Sequence, residues 1–277
     1  MFDALRRAEA ERRRKHGSVA AAPAGDRREA PAVDVPAPSP RFSPLPELTP
    51  AAPGVPPPTP SMNGSDPFPG EMLRELGILR NSIEARIEKK TKRVLMFTSA
   101  MHGEGVSTLA VAYARLLALH GTERVLLVEL NARAPSLAAR FGLTGREGVT
   151  HFFSSPRSLA TVVQRPAHEG FDVVHVGEAD PTQIQINLER SFPRLVEEAL
   201  RTHDLVIVDA PPVVVCPETP PLAPFMDGVV LVVQSGRTKR ETVERSLKQI
   251  RLFQGQVLGI VLNRKRYYIP DFIYRYL

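Results

Sequence analysis

A glycine-rich segment at residues 99–108 carries residue types that bind phosphate. It reads Ser-Ala-Met-His-Gly-Glu-Gly-Val-Ser-Thr. A phosphate-binding loop usually has Gly or Ala, four further residues, Gly, Lys, and Ser or Thr. Its backbone N–H groups surround the phosphates, the lysine neutralises their charge and the hydroxyl binds Mg²⁺. Ala100, Gly105 and Ser107 occupy the matching positions, but Val106 stands where lysine is expected. The spacing therefore predicts a phosphate site without the usual cation.

The missing lysine weakens two different steps. Its charge contributes to binding a triphosphate and to stabilising the transition state of phosphoryl transfer. Backbone N–H groups and the hydroxyls of Ser107 and Thr108 would still hold ATP or ADP with Mg²⁺, although weakly. Turnover should fall by orders of magnitude. Arg133 is the candidate replacement within the chain, and an arginine of a partner is the candidate from outside it.

The segments around this loop alternate between strand and helix patterns. The apolar runs lie at residues 94–98, 125–130, 173–176, 205–208, 229–233 and 257–262. Runs that are apolar at every position are typical of strands buried on both faces. Helical patterns lie at residues 71–90, 107–120, 188–202 and 238–253. The alternation predicts an α/β fold, a parallel β-sheet flanked by helices with right-handed crossovers.

The N-terminal quarter has a different composition. Residues 31–70 contain 14 of the 27 prolines, so we expect residues 17–70 to be a disordered linker rich in proline and alanine. Residues 1–16 have the composition of a short basic helix, which could be solvated, could dock on a partner or could lie on a membrane surface. Residues 71–277 would form the folded domain.

Composition also limits the location and the chemistry. Cys216 is the single cysteine of the sequence, which excludes an intramolecular disulfide and a multi-cysteine zinc site and favours a cytoplasmic protein. No apolar run approaches the roughly 18 residues of a membrane span. The net charge of +6 is a weak argument for an anionic partner, so we expect no nucleic acid but leave peripheral contact with the inner face of the plasma membrane open.

Further motifs give the chain a family resemblance. It resembles, from about residue 71 onward, the cytoplasmic kinase domain of bacterial tyrosine kinases of the polysaccharide co-polymerase type, within the MinD-like group of phosphate-loop proteins. The family loop reads Gly-Glu-Gly-Lys-Ser-Thr, and the matching residues are Gly103, Glu104, Gly105, Ser107 and Thr108. In the family's second acidic motif two aspartates are followed by Arg and Pro. The positions here hold Glu129, Asn131, Arg133 and Pro135.

The resemblance implies a set of site residues. Asp209 ends a strand similar to the family's Walker B strand, and Asn263 matches the residue that contacts adenine. Catalytic roles are implied for Glu129 and Asp209, and Mg²⁺ ligation for Ser107 and Asp209. The implied nucleotide-binding residues are Gly103, Glu104, Gly105, Val106, Ser107, Thr108, Arg133 and Asn263.

Three departures from the family pattern fall at one site. Val106 replaces lysine, and Glu129 and Asn131 replace aspartates. Glutamate is one methylene longer than aspartate, and asparagine cannot act as a base. The glycines and prolines of the motifs remain, which predicts a retained fold with a decayed catalytic site. An active autokinase with a substitute cation and a MinD-like positioning ATPase on membrane or DNA are the alternatives.

The C-terminal segment is rich in tyrosine and basic residues. Its tyrosines are Tyr267, Tyr268, Tyr274 and Tyr276. They resemble the acceptor tyrosines of the family, but such a segment could equally dock on a partner or contact a membrane or nucleic acid. The resemblance implies a membrane-embedded polysaccharide co-polymerase as partner. The family's self-assembly motif is met only at Glu71 and Arg74, which leaves homo-oligomer formation open.

Overall fold

The computed structural model describes residues 70–87, 90–178 and 181–265, with only the backbone given for residues 181–186. These residues belong to the compact unit Met62–Leu277. The predicted basic helix at residues 1–16, residues 17–69 of the predicted linker and the four C-terminal tyrosines lie outside the described residues. Gly70 already belongs to the first described helix.

Strands and helices alternate along the described chain. The helices are α1 (Gly70–Glu84), α2 (Val106–His120), α3 (Leu137–Phe141), α4 (Val149–Ser154), α5 (Pro181–Thr202) and α6 (Arg240–Leu252). The strands are β1 (Arg93–Ser99), β2 (Val125–Glu129), β3 (Asp172–Val174), β4 (Leu205–Asp209), β5 (Gly228–Gln234) and β6 (Val257–Asn263). Two 3₁₀ turns span Leu159–Thr161 and Pro220–Phe225.

The strands form one parallel sheet in the order β3-β2-β4-β1-β5-β6. This confirms the predicted α/β fold with a parallel sheet flanked by helices. Since all strands run in one direction, their carboxyl ends lie at one edge, where Ser99, Glu129, Asp209, Gln234 and Asn263 end their strands.

Alternate strand residues supply two apolar layers, one on each face of the sheet. In β1, Leu95 and Phe97 pack with α1 and α2, whereas Val94 and Met96 pack with α4, α5 and α6. The same alternation holds in β4, where Ile207 belongs to the α2 layer and the neighbouring valines to the opposite one. Burial on both faces explains why these strands are apolar at every position.

Several element bounds differ from the predicted ones. Helix α1 ends at Glu84 rather than residue 90, and β3 ends at Val174 rather than residue 176. Helix α5 begins at Pro181, before the predicted start at residue 188. Helices α3 and α4 were not predicted, because five and six residues are too few to show an apolar period. None of the described helices is long and apolar enough to cross a lipid bilayer.

Candidate functional site

The glycine-rich segment lies where the sheet reverses its order of connection. Strand β1 pairs with β4 on one side and β5 on the other. The chain fills the β2, β3 and β4 side first and then returns to β5 and β6. In open parallel sheets, ligands bind at such a switch point, outside the carboxyl ends of the strands. The segment from β1 to α2 occupies this point, and we call it the phosphate loop (residues 99–108).

Two glycines shape the phosphate loop. Gly103 and Gly105 have φ of 78° and 93°, in the left-handed region that side chains disfavour. A Cβ on Gly105 would also lie 2.2 Å from Nδ2 of Asn263. Helix α2 begins directly afterwards. Its first N–H groups have no partner within the helix and point back toward the loop, where an anion could bind. Val106, at the lysine position, is 9% exposed and packs in the apolar layer beneath α2.

The side chain of Glu104 holds the loop together from inside. It is 2% exposed. One oxygen, Oε2, accepts from the backbone N–H groups of Ala100 and Met101, both at 2.8 Å. The other, Oε1, accepts from the N–H of Gln234 at 3.1 Å and from the hydroxyl of Thr238. The carboxylate therefore links the loop to the end of β5.

Asp209 lies at the floor of the site. It ends β4 and is 0% exposed. Neither carboxylate oxygen accepts a hydrogen bond of good length and angle from the described residues, although the Ser107 hydroxyl is nearby. Burial raises its pKa to about 7, opposed by the nearby Ser107 hydroxyl, while the charge of Glu129 raises it further and Arg140 lowers it. A fully buried carboxylate with two open oxygens is rare unless a ligand completes it.

Glu129 lies beside Asp209 but has a different environment. The two residues are register partners on β2 and β4. Oε1 of Glu129 accepts from the backbone N–H groups of Ser136 and Leu137, at 2.5 and 3.0 Å, and Oε2 accepts from that of Val176 at 3.3 Å. Burial raises the pKa of Glu129, and these N–H groups oppose the change. The carboxylate thus anchors the start of α3. The catalytic role of Glu129 stays a prediction.

The remaining predicted residues lie around the same edge. Arg133 is exposed, and its Nη2 lies 3.5 Å from Oε1 of Glu218. Asn263 donates from Nδ2 to the carbonyl of Glu104 at 2.8 Å, and its Oδ1 accepts from the N–H of Arg264. Asn131 keeps a buried Oδ1 without a partner among the described residues. Contact of Arg133 or Asn263 with a nucleotide stays a prediction.

One cation at the loop was not predicted from the sequence. Arg140, in α3, donates from Nη2 to Oγ1 of Thr108 at 3.2 Å. Its pKa is lowered by burial and then by the charge of Arg115, and the charges of Asp209 and Glu129 oppose this. No motif marks the position, because the contact depends on how α3 packs beside α2.

The donor set fits Mg²⁺ and phosphate. Mg²⁺ prefers oxygen ligands and is commonly held by one or two protein groups, with substrate phosphates and water completing the shell. Asp209 with its open carboxylate and Ser107 with its hydroxyl supply such groups. The glycines and the start of α2 supply N–H groups for phosphate oxygens. A bound Mg²⁺ would neutralise charge on the phosphates.

Comparison with curated proteins identifies relatives across most of the domain. The chain is 31% identical over 189 residues to tyrosine-protein kinase YwqD of Bacillus subtilis (strain 168), covering 68% of this chain and 79% of that protein. It is 30% identical over 187 residues to tyrosine-protein kinase CpsD of Streptococcus agalactiae, covering 66% and 81%. It is 29% identical over 175 residues to succinoglycan biosynthesis transport protein ExoP of Rhizobium meliloti (strain 1021), covering 62% and 22%. No model of a protein family matches the chain.

Solved structures show the same fold. The kinase domain of VpsO is 27% identical, with a TM-score of 0.61, and the match covers 71% of this chain and 98% of that one. The kinase domain of the Escherichia coli tyrosine kinase ETK is 22% identical, with a TM-score of 0.65 and coverage of 72% and 79%. A ParA family ATPase from Chlorobium tepidum TLS has the fold at 22% identity, a TM-score of 0.53 and coverage of 62% and 74%. The predicted phosphate-loop NTPase fold is thus confirmed.

Proposed function

The chain belongs to the family of bacterial tyrosine-protein kinases, and within it we propose that it is a catalytically impaired member that regulates polysaccharide synthesis and export. The name of ExoP places that relative in succinoglycan biosynthesis and transport. We propose a membrane-embedded polysaccharide co-polymerase as the partner and the cytoplasmic side of the membrane as the place of action. The protein would act there as an adaptor.

The burial of Val106 carries the proposal of impaired catalysis. Phosphoryl transfer depends almost entirely on positioning and on cations that meet the charge of the transferred group. At the lysine position, an apolar side chain packs into the layer beneath α2 and offers no charge to a phosphate. The side-chain oxygens of Glu129 accept from backbone N–H groups, and Asn131 cannot accept a proton from a tyrosine hydroxyl.

The residues that would bind a nucleotide match the family motif more closely than those that would transfer phosphate. The loop glycines, the start of α2 and the open carboxylate of Asp209 are all present. We therefore propose that Mg²⁺ with ATP or ADP binds weakly and changes how the domain meets its partner.

An active autokinase is the second candidate, favoured by the two open oxygens of Asp209, which are poised for Mg²⁺. Labelling of the full chain with radioactive ATP, followed by phosphotyrosine detection, separates the two candidates. The proposal expects no label on the wild type. It expects label on the variant that restores the family pattern, Val106→Lys with Glu129→Asp and Asn131→Asp. Val106→Met matches the length of lysine without its charge and serves as the control.

The outcomes of this assay are unambiguous. Phosphotyrosine on the wild type that Asp209→Asn abolishes would overturn the proposal and support the autokinase.

The polysaccharide role is tested in the source bacterium by deleting the gene and measuring the amount and chain length of secreted polymer. We expect both wild type and Val106→Met to restore the polymer equally. Unchanged polymer in the deletion strain would exclude this role.

A further inference from the structure

We infer that Arg140 supplies the positive charge that the phosphate loop lacks and that it binds the phosphates of a nucleoside di- or triphosphate. The inference rests on the proposed function, in which the site holds a nucleotide without transferring its phosphate. It replaces Arg133, the candidate chosen from the sequence, with a residue from a neighbouring helix.

Arg140 lies at the open end of the phosphate loop. Its Nη2 is 3.2 Å from Oγ1 of Thr108, which is in the first turn of α2 and follows Ser107 directly. Arg140 and Thr108 both keep solvent-exposed surface, so a ligand can reach them, although neighbouring atoms partly bury the Arg140 side chain. A phosphate held by the N–H groups of this turn would therefore meet a guanidinium beside it.

The buried carboxylate of Asp209 is a second observation that points to a ligand at this turn. Asp209 is 0% exposed, and neither of its oxygens has a hydrogen-bond partner within geometric limits among the described residues. It lies next to the Ser107 hydroxyl, and the charge of Arg140 also acts on it. A divalent cation carrying phosphates would satisfy the carboxylate at the turn where Arg140 contacts Thr108.

Three other arginines near this edge of the sheet contact residues outside the phosphate loop. Arg133 lies 3.5 Å from Glu218, a carboxylate that is 11% exposed at its side chain. Arg237 and Arg264 both contact the side-chain oxygen of Gln234, the last residue of β5. Arg140 contacts a hydroxyl, which can remain a partner while the guanidinium also binds an anion.

Guanidinium chemistry suits this role. Arginine is charged at every physiological pH and presents paired N–H groups that match two phosphate oxygens. Because Arg140 approaches from α3 and not from the lysine position, it adds binding without restoring the contacts that the lysine makes during transfer. This is the combination that a nucleotide-binding adaptor requires.

The test is calorimetric titration of the full chain with ATP and with ADP, in excess Mg²⁺, up to millimolar nucleotide. Arg140→Ala should weaken binding about tenfold or more, the usual loss for a charge-assisted contact. Arg140→Lys should keep part of the affinity. Arg201→Ala removes an equal charge from an exposed pair with Glu197 within α5, and it should bind like the wild type. Thermal unfolding by circular dichroism shows whether each variant is folded.

Four results would overturn the inference. These are unchanged affinity in folded Arg140→Ala, an equal loss in Arg201→Ala, a larger loss in Arg133→Ala, and no binding by the wild type at millimolar nucleotide. The last result would also remove the proposed nucleotide binding, but it would leave the proposal of impaired catalysis intact. Conversely, phosphotyrosine on the wild type would overturn the proposed function, whereas the difference between Arg140→Ala and Arg201→Ala would still stand.

Discussion

The substitution Asp209→Asn should stabilise the metal-free domain at neutral and alkaline pH. Burial raises the pKa of Asp209 to about 7 from its ordinary value of 3.8. Because the folded-state pKa lies above the unfolded one, the folded protein binds the proton more tightly. The free energy of unfolding should therefore fall as pH rises from about 4 to about 7, and the loss is complete above the folded pKa.

The magnitude follows from the two pKa values. The difference between 3.8 and about 7 corresponds to about 4 kcal/mol. Asparagine keeps the shape without the charge, so the variant should gain up to this amount over the wild type between pH 4 and pH 8. In a domain of this size, each kcal/mol moves the unfolding temperature by about 2–4 °C.

The assay is urea unfolding of both proteins at several pH values, in the presence of a chelator. Subtracting the free energy of unfolding of one protein from that of the other at each pH cancels the contribution of groups that titrate alike in both. Asp204→Asn is a control of opposite sign, because Arg124 lowers the pKa of Asp204 to about 2. Asp204 stabilises the fold above its unfolded pKa, so its variant should lose stability at pH 7. Wild type and Asp209→Asn curves that run parallel from pH 4 to pH 8 would refute the reasoning.

Two further predictions concern the phosphate loop. Glu104→Gln should destabilise the fold by about 2–3 kcal/mol in urea unfolding, because an amide cannot accept with both ends. Glu244→Gln, at a carboxylate whose side chain is 60% exposed, should change stability little, and equal effects would contradict the anchoring role. Gly105→Ala should destabilise by at least about 1 kcal/mol, since φ is 93° and the new Cβ meets Asn263 at 2.2 Å. Adding Asn263→Ala should recover only the part due to the clash, and full recovery would exclude backbone strain.

The sheet was predictable because its central strands are buried on both faces, although the edge strand β6 leaves Ile260 and Leu262 exposed. Runs such as residues 205–208 are apolar throughout, and their short length favours a strand buried on both faces over a helix. The start of α5 was missed because its first residues, Pro-Thr-Gln-Ile-Gln-Ile-Asn, are mostly polar and lack an apolar period of 3.6. Helices α3 and α4 are shorter than two turns, and tertiary packing positions them.

The site was predictable where a motif fixes the backbone. The glycines of the loop follow from the spacing of the motif, whereas the resemblance to the family's Walker B strand implied the carboxylate that ends β4. The partners of Glu129 do not, because the N–H groups of Ser136 and Leu137 reach it only when the chain turns back into α3. Arg140 could not be distinguished from the other Lys and Arg residues, since its proximity to Thr108 depends on the packing of α3.

The charges at the site link nucleotide binding to stability. Asp209 and Glu129 are register partners on the neighbouring strands β4 and β2, and the lysine position of the phosphate loop holds a buried valine. Burial, and then the charge of Glu129, raises the pKa of Asp209 to about 7, so this carboxyl is partly protonated near neutral pH. If Mg²⁺ with a nucleotide binds here as proposed, it would need the ionised carboxylate, so binding would release the proton of Asp209. A nucleotide bound only by the folded domain would then stabilise it by an amount that rises with the logarithm of the nucleotide concentration above Kd, which would give the proposed adaptor a means of sensing nucleotide without consuming it.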